Sequence, residues 1–477
     1  MDFGIYTLDP AAIFDFFSSR GSGEIILNLF AVGGWIVFVF LLTYAGLHLY
    51  QEYRQSKFTH NWKWALLAVD IPALNIQTPK AVEQLFAHIA GAFDKPNVGE
   101  KFHGGYKQRY FSFEIISIEG YIQFLIWTEE TFRDLVEAAV YAQYPDAEIT
   151  EVEDYTKIAP NHFPDEEYDI WAADFALTQG NGLPIRTYRD FEHSISKDTV
   201  LKDPMGTFLE SFSRIGPGEQ MWFQIILEPI SNSWKEHVIE EIKEMIGDTG
   251  GHHGGNKFVD QIVSSPMTLL EKLGDEIFSR EASAPHEEAK KDEPNKIRYL
   301  TPGQSTIVEA MEEKITKVGF KTKMRGIYLA RKEVFQPTRG INALLGAINQ
   351  FNIPSANSIA PALTTKTSYF MKERTAMYRK NLLMKAYKKR KAKAGAHQFI
   401  LNIEELATIW HFPMSHVKTP LVQKAGTKRA EPPSGLPVET INNSVISSLP
   451  EVSHEEKAEK KIYRTDSGDV FLGDELG

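Results

Sequence analysis

The chain of 477 residues contains no cysteine. That excludes a disulfide framework, thiolate zinc and iron–sulfur sites, and a cysteine nucleophile. It also contains no Gly-Lys dipeptide, so a P-loop, which needs a glycine-rich turn followed by Lys and Ser/Thr, cannot form. Nucleotide hydrolysis by that route is excluded. No GxSxG elbow and no HExxH pair occurs either, which removes the commonest serine-hydrolase and zinc-protease arrangements. Basic residues are too few for a uniformly basic nucleic-acid binder: 52 Lys and Arg stand against 63 Asp and Glu, a net charge of −11. A local basic patch stays open. With 43% hydrophobic and 24% charged residues, the chain is neither disordered throughout nor a many-span membrane protein. Its length exceeds one compact domain, so two or three units are expected.

One long apolar run is present. Ile25 to Tyr50 reads IILNLFAVGGWIVFVFLLTYAGLHLY, without Asp, Glu, Lys or Arg. Roughly 20 helical residues cross a hydrocarbon core, so a single transmembrane helix is expected at 25–50, behind a short extracytoplasmic N-terminus at 1–24. Arg54, Lys57 and Lys63 follow the run, whereas Asp2, Asp9, Asp15 and Glu24 precede it against Arg20 alone. Positive charge is retained on the cytoplasmic side. The expected placement is therefore the cytoplasmic (inner) membrane, single-pass, with the N-terminus outside and the bulk cytoplasmic.

Beyond the run, Lys63 to Pro72 predicts a strand, and Thr78-Pro79 opens a helix carrying Val82, Leu85, Phe86 and Ile89 on one face. Tyr110 to Thr128 holds two alternating apolar runs broken at Glu119-Gly120, a hairpin signal. A helix over Thr131 to Tyr144 and a strand over Ala147 to Tyr155 complete a β-α-β-β-α-β order, the ferredoxin-like split unit. A looser second copy is expected from strands at Tyr168–Leu177 and Met221–Ile230 and helices at Met205–Ile215 and Trp234–Ile246. A helix from Pro302 to Lys317 follows, and a strand over Lys321–Val334 closes the copy. The expected fold class is α+β: one N-terminal transmembrane helix, then tandem ferredoxin-like (βαββαβ) units with a helical C-terminal part and a disordered tail. The expected boundaries are 60–156 for the first unit, 165–246 plus 297–335 for the second, and 247–296 for an insertion with a helix at 258–277. A helical region at 340–413 and a disordered tail at 425–477 follow.

Candidate chemistry is sparse. His252-His253, within GGHHGGN, could hold a divalent ion weakly, but no further ligand lies at ligand spacing. A nuclease or metal-dependent hydrolase would have to use this pair with nearby acids. The acid pairs Glu129-Glu130, Glu153-Asp154 and Glu404-Glu405 are explained more simply as solvated helix starts and strand edges. A basic helix at 368–393 says more. From Lys366 to Lys393 there are eleven basic residues against Glu373 alone, with Tyr369, Phe370, Tyr378 and Tyr387 interleaved. Lys385, Lys388, Lys389, Arg390, Lys391 and Lys393 are the candidate binding residues. Their targets are nucleic acid (DNA), anionic lipid headgroups or an acidic protein surface. A solvated helix pairing with the acidic body competes with all three.

Two stretches carry a family resemblance. Residues 110–155, with EIISIEGYIQFLIWTEETFRDLVEAAVYAQYPDAEITEVEDY, resemble the N-terminal region of large membrane-anchored proteins of ultrasmall, uncultured bacteria. Those proteins are related to type IV secretion or conjugative DNA-transfer ATPases. Residues 320–341 and 399–413, the latter FILNIEELATIWHFP, resemble the stretch that precedes the motor domain in them, where a proline-rich connector such as Glu431-Pro432-Pro433 follows. No motor domain is expected within residues 436–477, so the resemblance is not expected to carry the family's ATPase activity. The resemblance implies a motor-less adaptor: a non-enzymatic, membrane-anchored cytoplasmic scaffold, without cofactor or metal, that binds partner subunits. A separate P-loop ATPase subunit, further copies of the chain (a homo-oligomer), or DNA or anionic lipid through the basic helix are the partners expected. The alternative is a membrane-tethered nucleic-acid-binding protein using the basic helix 368–393.

Overall fold

The computed structural model describes residues 21, 35–72, 75–194, 199–201, 203–246, 301–367, 371–415, 462–464 and 470–472. The chain divides into two compact units, Met1–Thr427 and Lys428–Gly477. In the first, helix α1 (Trp35–Thr59) leads to strand β1 (Trp64–Asp70), helix α2 (Pro79–Ile89), strands β2 (Phe111–Ile118) and β3 (Tyr121–Glu129), helix α3 (Arg133–Gln143) and strand β4 (Glu148–Glu151). Next come β5 (Tyr168–Leu177), a small hairpin of β6 (Glu192–Ser194) and β7 (Thr199–Leu201), α4 (Pro204–Ser213), β8 (Glu219–Pro229) and α5 (Trp234–Ile246). The chain continues with α6 (Pro302–Thr316), β9 (Gly319–Arg331), α7 (Pro337–Asn349), β10 (Ile359–Thr364), α8 (Lys372–Lys388), β11 (Phe399–Asn402) and α9 (Ile403–Ile409). The second compact unit contributes one described hairpin, β12 (Ile462–Arg464) with β13 (Val470–Leu472). The remainder of the tail expected at 425–477 lies outside the described residues, as does the insertion at 247–296 with its helix at 258–277.

The expected α+β class describes this mixture of helices and antiparallel strands, but its transmembrane helix does not stand. Among the described residues no helix is long and apolar enough to cross a membrane. Positions 25–34 of the expected span lie outside the described residues. In α1 the apolar stretch from Trp35 ends at Tyr50, and Gln51, Glu52, Arg54 and Lys57 follow within the same helix. The described apolar part of α1, about 16 residues, rises roughly 24 Å, less than a core about 30 Å thick. α1 buries none of its residues; at its C-terminal end Phe58 meets Tyr106 at 5.7 Å between ring centroids.

Nine strands form one antiparallel sheet in the order β10-β5-β9-β8-β2-β3-β1-β4, with β11 also paired to β9. The half β4-β1-β3-β2 is the strand order of a β-α-β-β-α-β unit, and β10-β5-β9-β8 repeats it. The halves join where β2 pairs with β8 from Phe111–Leu227 to Ile118–Gln220. Glu119 (φ 55°) and Gly120 (φ 93°) make the tight turn of the first hairpin, both in the left-handed region that such a turn requires. The second copy closes differently from expectation. The strand expected over Lys321–Val334 is the inner strand β9, α7 is the second crossover helix, and the closing strand is β10, inside the region 340–413 expected to be helical. Pro361 in β10 explains the misreading: proline breaks an inner strand but is tolerated at an edge, where its missing N–H costs no ladder bond.

Alternation along each strand splits the sheet into two apolar faces. Leu67, Val69, Phe113, Ile115, Phe223 and Ile225 face α2, α3, α4, α7 and α9. Trp410, just after α9, lies 4.9 Å from Phe113, 5.7 Å from Phe124 and 6.3 Å from Phe86 between ring centroids, so the C-terminal segment completes the core of the first half. On the opposite face, Leu66, Ala68, Ile116, Leu125, Trp127, Trp222, Ile327 and Leu329 pack with Tyr155, Leu383, Met384 and Tyr387. There α8 is the main cover.

Candidate functional site

The face beneath α8 carries charge. Glu114 in β2 pairs directly with Gln224 in β8, Gln224 with Arg325 in β9, and Arg325 with Asp174 in β5. Four polar side chains thus form one row across four adjacent strands, each fully buried. Buried charges are tolerated only when paired and hydrogen-bonded, and here they are. Arg325 Nε donates to Asp174 Oδ1 at 2.8 Å, and Lys323 Nζ lies 2.7 Å from Asp174 Oδ2. Glu114 accepts from Ser112 Oγ (2.7 Å), Gln224 Nε2 (2.9 Å) and Tyr155 Oη (3.0 Å).

The remaining partners come from the end of α8 and a strap, residues 389–398, that crosses the face. Arg390 Nε and Nη2 donate to the two oxygens of Glu114 at 2.9 and 3.1 Å, and Nη1 to Asp154 Oδ2 at 2.7 Å. Arg325 donates to the carbonyls of Ala386 (3.1 Å) and Ala394 (2.5 Å), and the Ala396 N–H to Asp174 Oδ2 at 2.9 Å. Burial lowers the Arg390 pKa, but Glu114, Asp154 and Tyr155 outweigh it and raise it above its usual value. Burial dominates at Arg325 and lowers its pKa despite Asp174. Burial likewise opposes ionisation of Asp154, yet Arg390 and Thr156 leave its carboxyl below the usual range.

This arrangement redistributes the residues of the expected basic helix 368–393. The helix is α8, Lys372–Lys388; positions 368–370 lie outside the described residues. Arg390 is 1% exposed and forms the lock just described, so it is not a surface binding residue. Lys388, half-buried, donates to the Ala159 carbonyl at 2.5 Å and to Asn161 Oδ1 at 2.8 Å. Lys380 pairs with Asp169, and Arg379 donates to the Thr364 carbonyl at 3.1 Å. Lys385, Lys389, Lys391 and Lys393 are exposed. Sequence reasoning missed Glu114, Asp154, Asp174, Lys323 and Arg325 as a set. The available signal was charge at the same strand parity as Trp127 and Trp222, inside otherwise apolar strands.

A cleft of about 670 Å³ opens beside the lock, lined by Trp64, Trp127, Glu151, Glu153, Asp154, Lys157, Lys388 and Arg390. Trp64 stacks on Trp127 at 3.6 Å and 8° between planes, and the Arg390 guanidinium carbon lies 4.9 Å from the Trp127 centroid. A smaller hollow of about 230 Å³ adjoins it across Val152 and Glu153 and contains Asp70 and Gln123. Burial raises the Asp70 pKa, with Gln123 opposing and Glu148 adding to it. The cleft joins an aromatic wall to charges of both signs, a surface suited to the side chains of a polypeptide. The sheet edges are less suited to pairing: β10 carries Pro361 and a register shift, and β4 is four residues long with Glu148 and Glu151.

The other acids play structural parts. Glu404 and Glu405 are not solvated: they are 3% and 0% exposed. Glu405 lies 3.1 Å from buried Lys314, accepts the Ile185 N–H at 3.0 Å and closes a capping box with Asn402. Glu129 is buried 2.7 Å from Arg109, whereas Glu130 is exposed. His252 and His253 lie outside the described residues. Among the described residues no group of three or more His, Asp or Glu could hold a metal ion. His411 is buried between Asp203 Oδ1 (2.9 Å) and the Ala407 carbonyl (2.7 Å).

Fold and site together define an α+β protein in which two β-α-β-β-α-β units are fused through one sheet and locked by a charged strap. Residues 72–425 match the family model described as "Domain of unknown function (DUF8128)", and the chain belongs to that family. No curated protein matches it.

Proposed function

We propose that the chain is a non-enzymatic scaffold that holds a partner polypeptide in the cleft beside the Arg390 lock. The cleft itself carries this reading: an aromatic wall and both signs of charge are held on a continuous sheet whose edges are blunted against strand addition. The lock fixes Trp127 and Arg390 in place, so a partner meets a surface ordered before it arrives, and less entropy is lost on binding. The resemblance to DNA-transfer ATPases makes a separately encoded P-loop ATPase the first partner to test. A photocrosslinking residue at Lys157, in cells carrying the full chain, is expected to give one discrete adduct of defined mass. The same residue at Tyr121, outside the cleft, is expected to give none. Absence of an adduct at Lys157, or equal adducts at both positions, overturns the reading.

A further inference from the structure

The strap-covered face ends in a cluster of lysines drawn from three separate segments. Two rows beyond Glu114–Gln224–Arg325 on the same face, Glu228 pairs with Lys321 across β8 and β9. Continuing the Phe111–Leu227 register by one residue brings Tyr110 opposite Glu228. Lys107 reaches back over the Tyr110 ring, with its ammonium 5.1 Å from the centroid. Lys391 and Lys393 are exposed on the strap, which is fastened just beyond them by Ala396 to Asp174 and Lys323. Burial and then Lys393 push the Lys107 ammonium below its usual value; Glu228 opposes this and Lys391 adds to it. Glu228 is itself raised by burial, against the pull of Lys321, Lys393 and Lys107. Lys107, Lys321 and Lys393 therefore converge on one carboxylate, with Lys391 beside Lys107.

Gathering like charges around a single counter-charge costs free energy that a polyanion would return. Beside the lysines runs a row of half-buried aromatics. Phe58, Trp62, Trp64 and Tyr110 follow one another with centroids 5.9, 5.6 and 5.2 Å apart. Cations tracking a backbone alongside aromatic faces are the two components of sequence-tolerant single-strand recognition. We infer that Lys107, Lys321, Lys391 and Lys393 bind the phosphodiester backbone of single-stranded nucleic acid, with Trp62 and Tyr110 beside them receiving its bases. This site is distinct from the expected basic helix: it excludes Arg390 and Lys388, which the body uses, and it recruits Lys107 and Lys321 from distant segments.

Fluorescence anisotropy of a labelled oligodeoxythymidylate with the full chain tests the assignment. Neutralising four phosphates predicts a slope of log affinity against log salt near −3. K107Q/K391Q/K393Q is expected to weaken binding at least about tenfold and to bring the slope to about −1, while K372Q/R374Q stays within about twofold of the parent. K391Q/K393Q, confined to the exposed strap, gives the same direction without touching half-buried Lys107, and thermal melting verifies that each variant is folded. Three results overturn the inference: no oligonucleotide binding at low salt, equal loss in K372Q/R374Q, or binding to phosphatidylserine vesicles without binding to the oligonucleotide.

Discussion

Arg390 and Glu114 stand 276 positions apart in the chain yet meet through two parallel hydrogen bonds of 2.9 and 3.1 Å, both side chains fully buried. The strap thereby inserts its only buried charge between β2 and Asp154. Removing one member leaves the other desolvated and unpaired, which costs far more than the intact pair contributes. R390M is expected to destabilise the chain by about 3–5 kcal/mol in urea unfolding. E114L/R390M, which removes both charges, should cost less than the two single changes summed, with a coupling of roughly 1–3 kcal/mol. Additive single effects would show that the pair is not a lock.

Asp203 sets an acid limit on stability. Burial raises its pKa, but the adjacent His411 and the N–H groups of Met414 and Met205 outweigh it, so the folded carboxyl lies below its usual range. A depressed folded pKa contributes stability that is present above the unfolded value, about 3.9, and lost as pH falls through the folded value. Asp154, also depressed, acts in the same sense. Urea midpoints measured from pH 7 downward should therefore fall once pH drops below about 4. D203N should be less stable at neutral pH and lose part of that acid dependence. A parental midpoint that does not change below pH 4 contradicts this.

Gly395 holds the strap down. Its φ is +85°, and a Cβ there would collide with the Asp174 carboxylate that the strap caps. G395A is expected to cost about 1–3 kcal/mol and to expose the Lys389–Lys393 stretch to trypsin. Limited proteolysis followed by mass measurement of the fragments reads this directly, and an unchanged digestion pattern contradicts it.

Lys314 and Glu405 test the structural reading of the acidic helix start. Both are buried, 3.1 Å apart, on α6 and α9. E405A removes the ion pair, the Ile185 contact and half of the capping box together, and should destabilise by at least about 3 kcal/mol. K314M/E405M is expected to recover part of that loss. Chemical denaturation of both variants settles the order.

Much of the fold was legible because it depends on local rules. The hairpin at Glu119-Gly120 needs two left-handed residues between alternating runs, and the helices at Pro79 and Pro302 begin where proline's missing N–H is harmless. The closing strand β10 was not legible, since an edge strand containing Pro361 looks like a loop without knowledge of its neighbours. The long apolar run read as a membrane span, but the described helix α1 reaches into the polar stretch after Tyr50. The site was least legible of all. The cationic run around Lys388–Lys393 announces itself by composition, but composition does not separate Arg390, which turns inward at φ 47°, from Lys391, which faces solvent. Nor does it bring Lys107 and Lys321 to the same rim, because that follows from strand register.

Trp410 has a consequence for how the protein is made. Phe113 reaches the ribosome's exit roughly 300 residues before the indole that covers it, an interval on the order of 15–60 s at about 5–20 residues per second. Throughout that wait the nascent first half presents an unfinished apolar interior, so its biosynthesis should depend on holding chaperones until residues 399–412 have emerged.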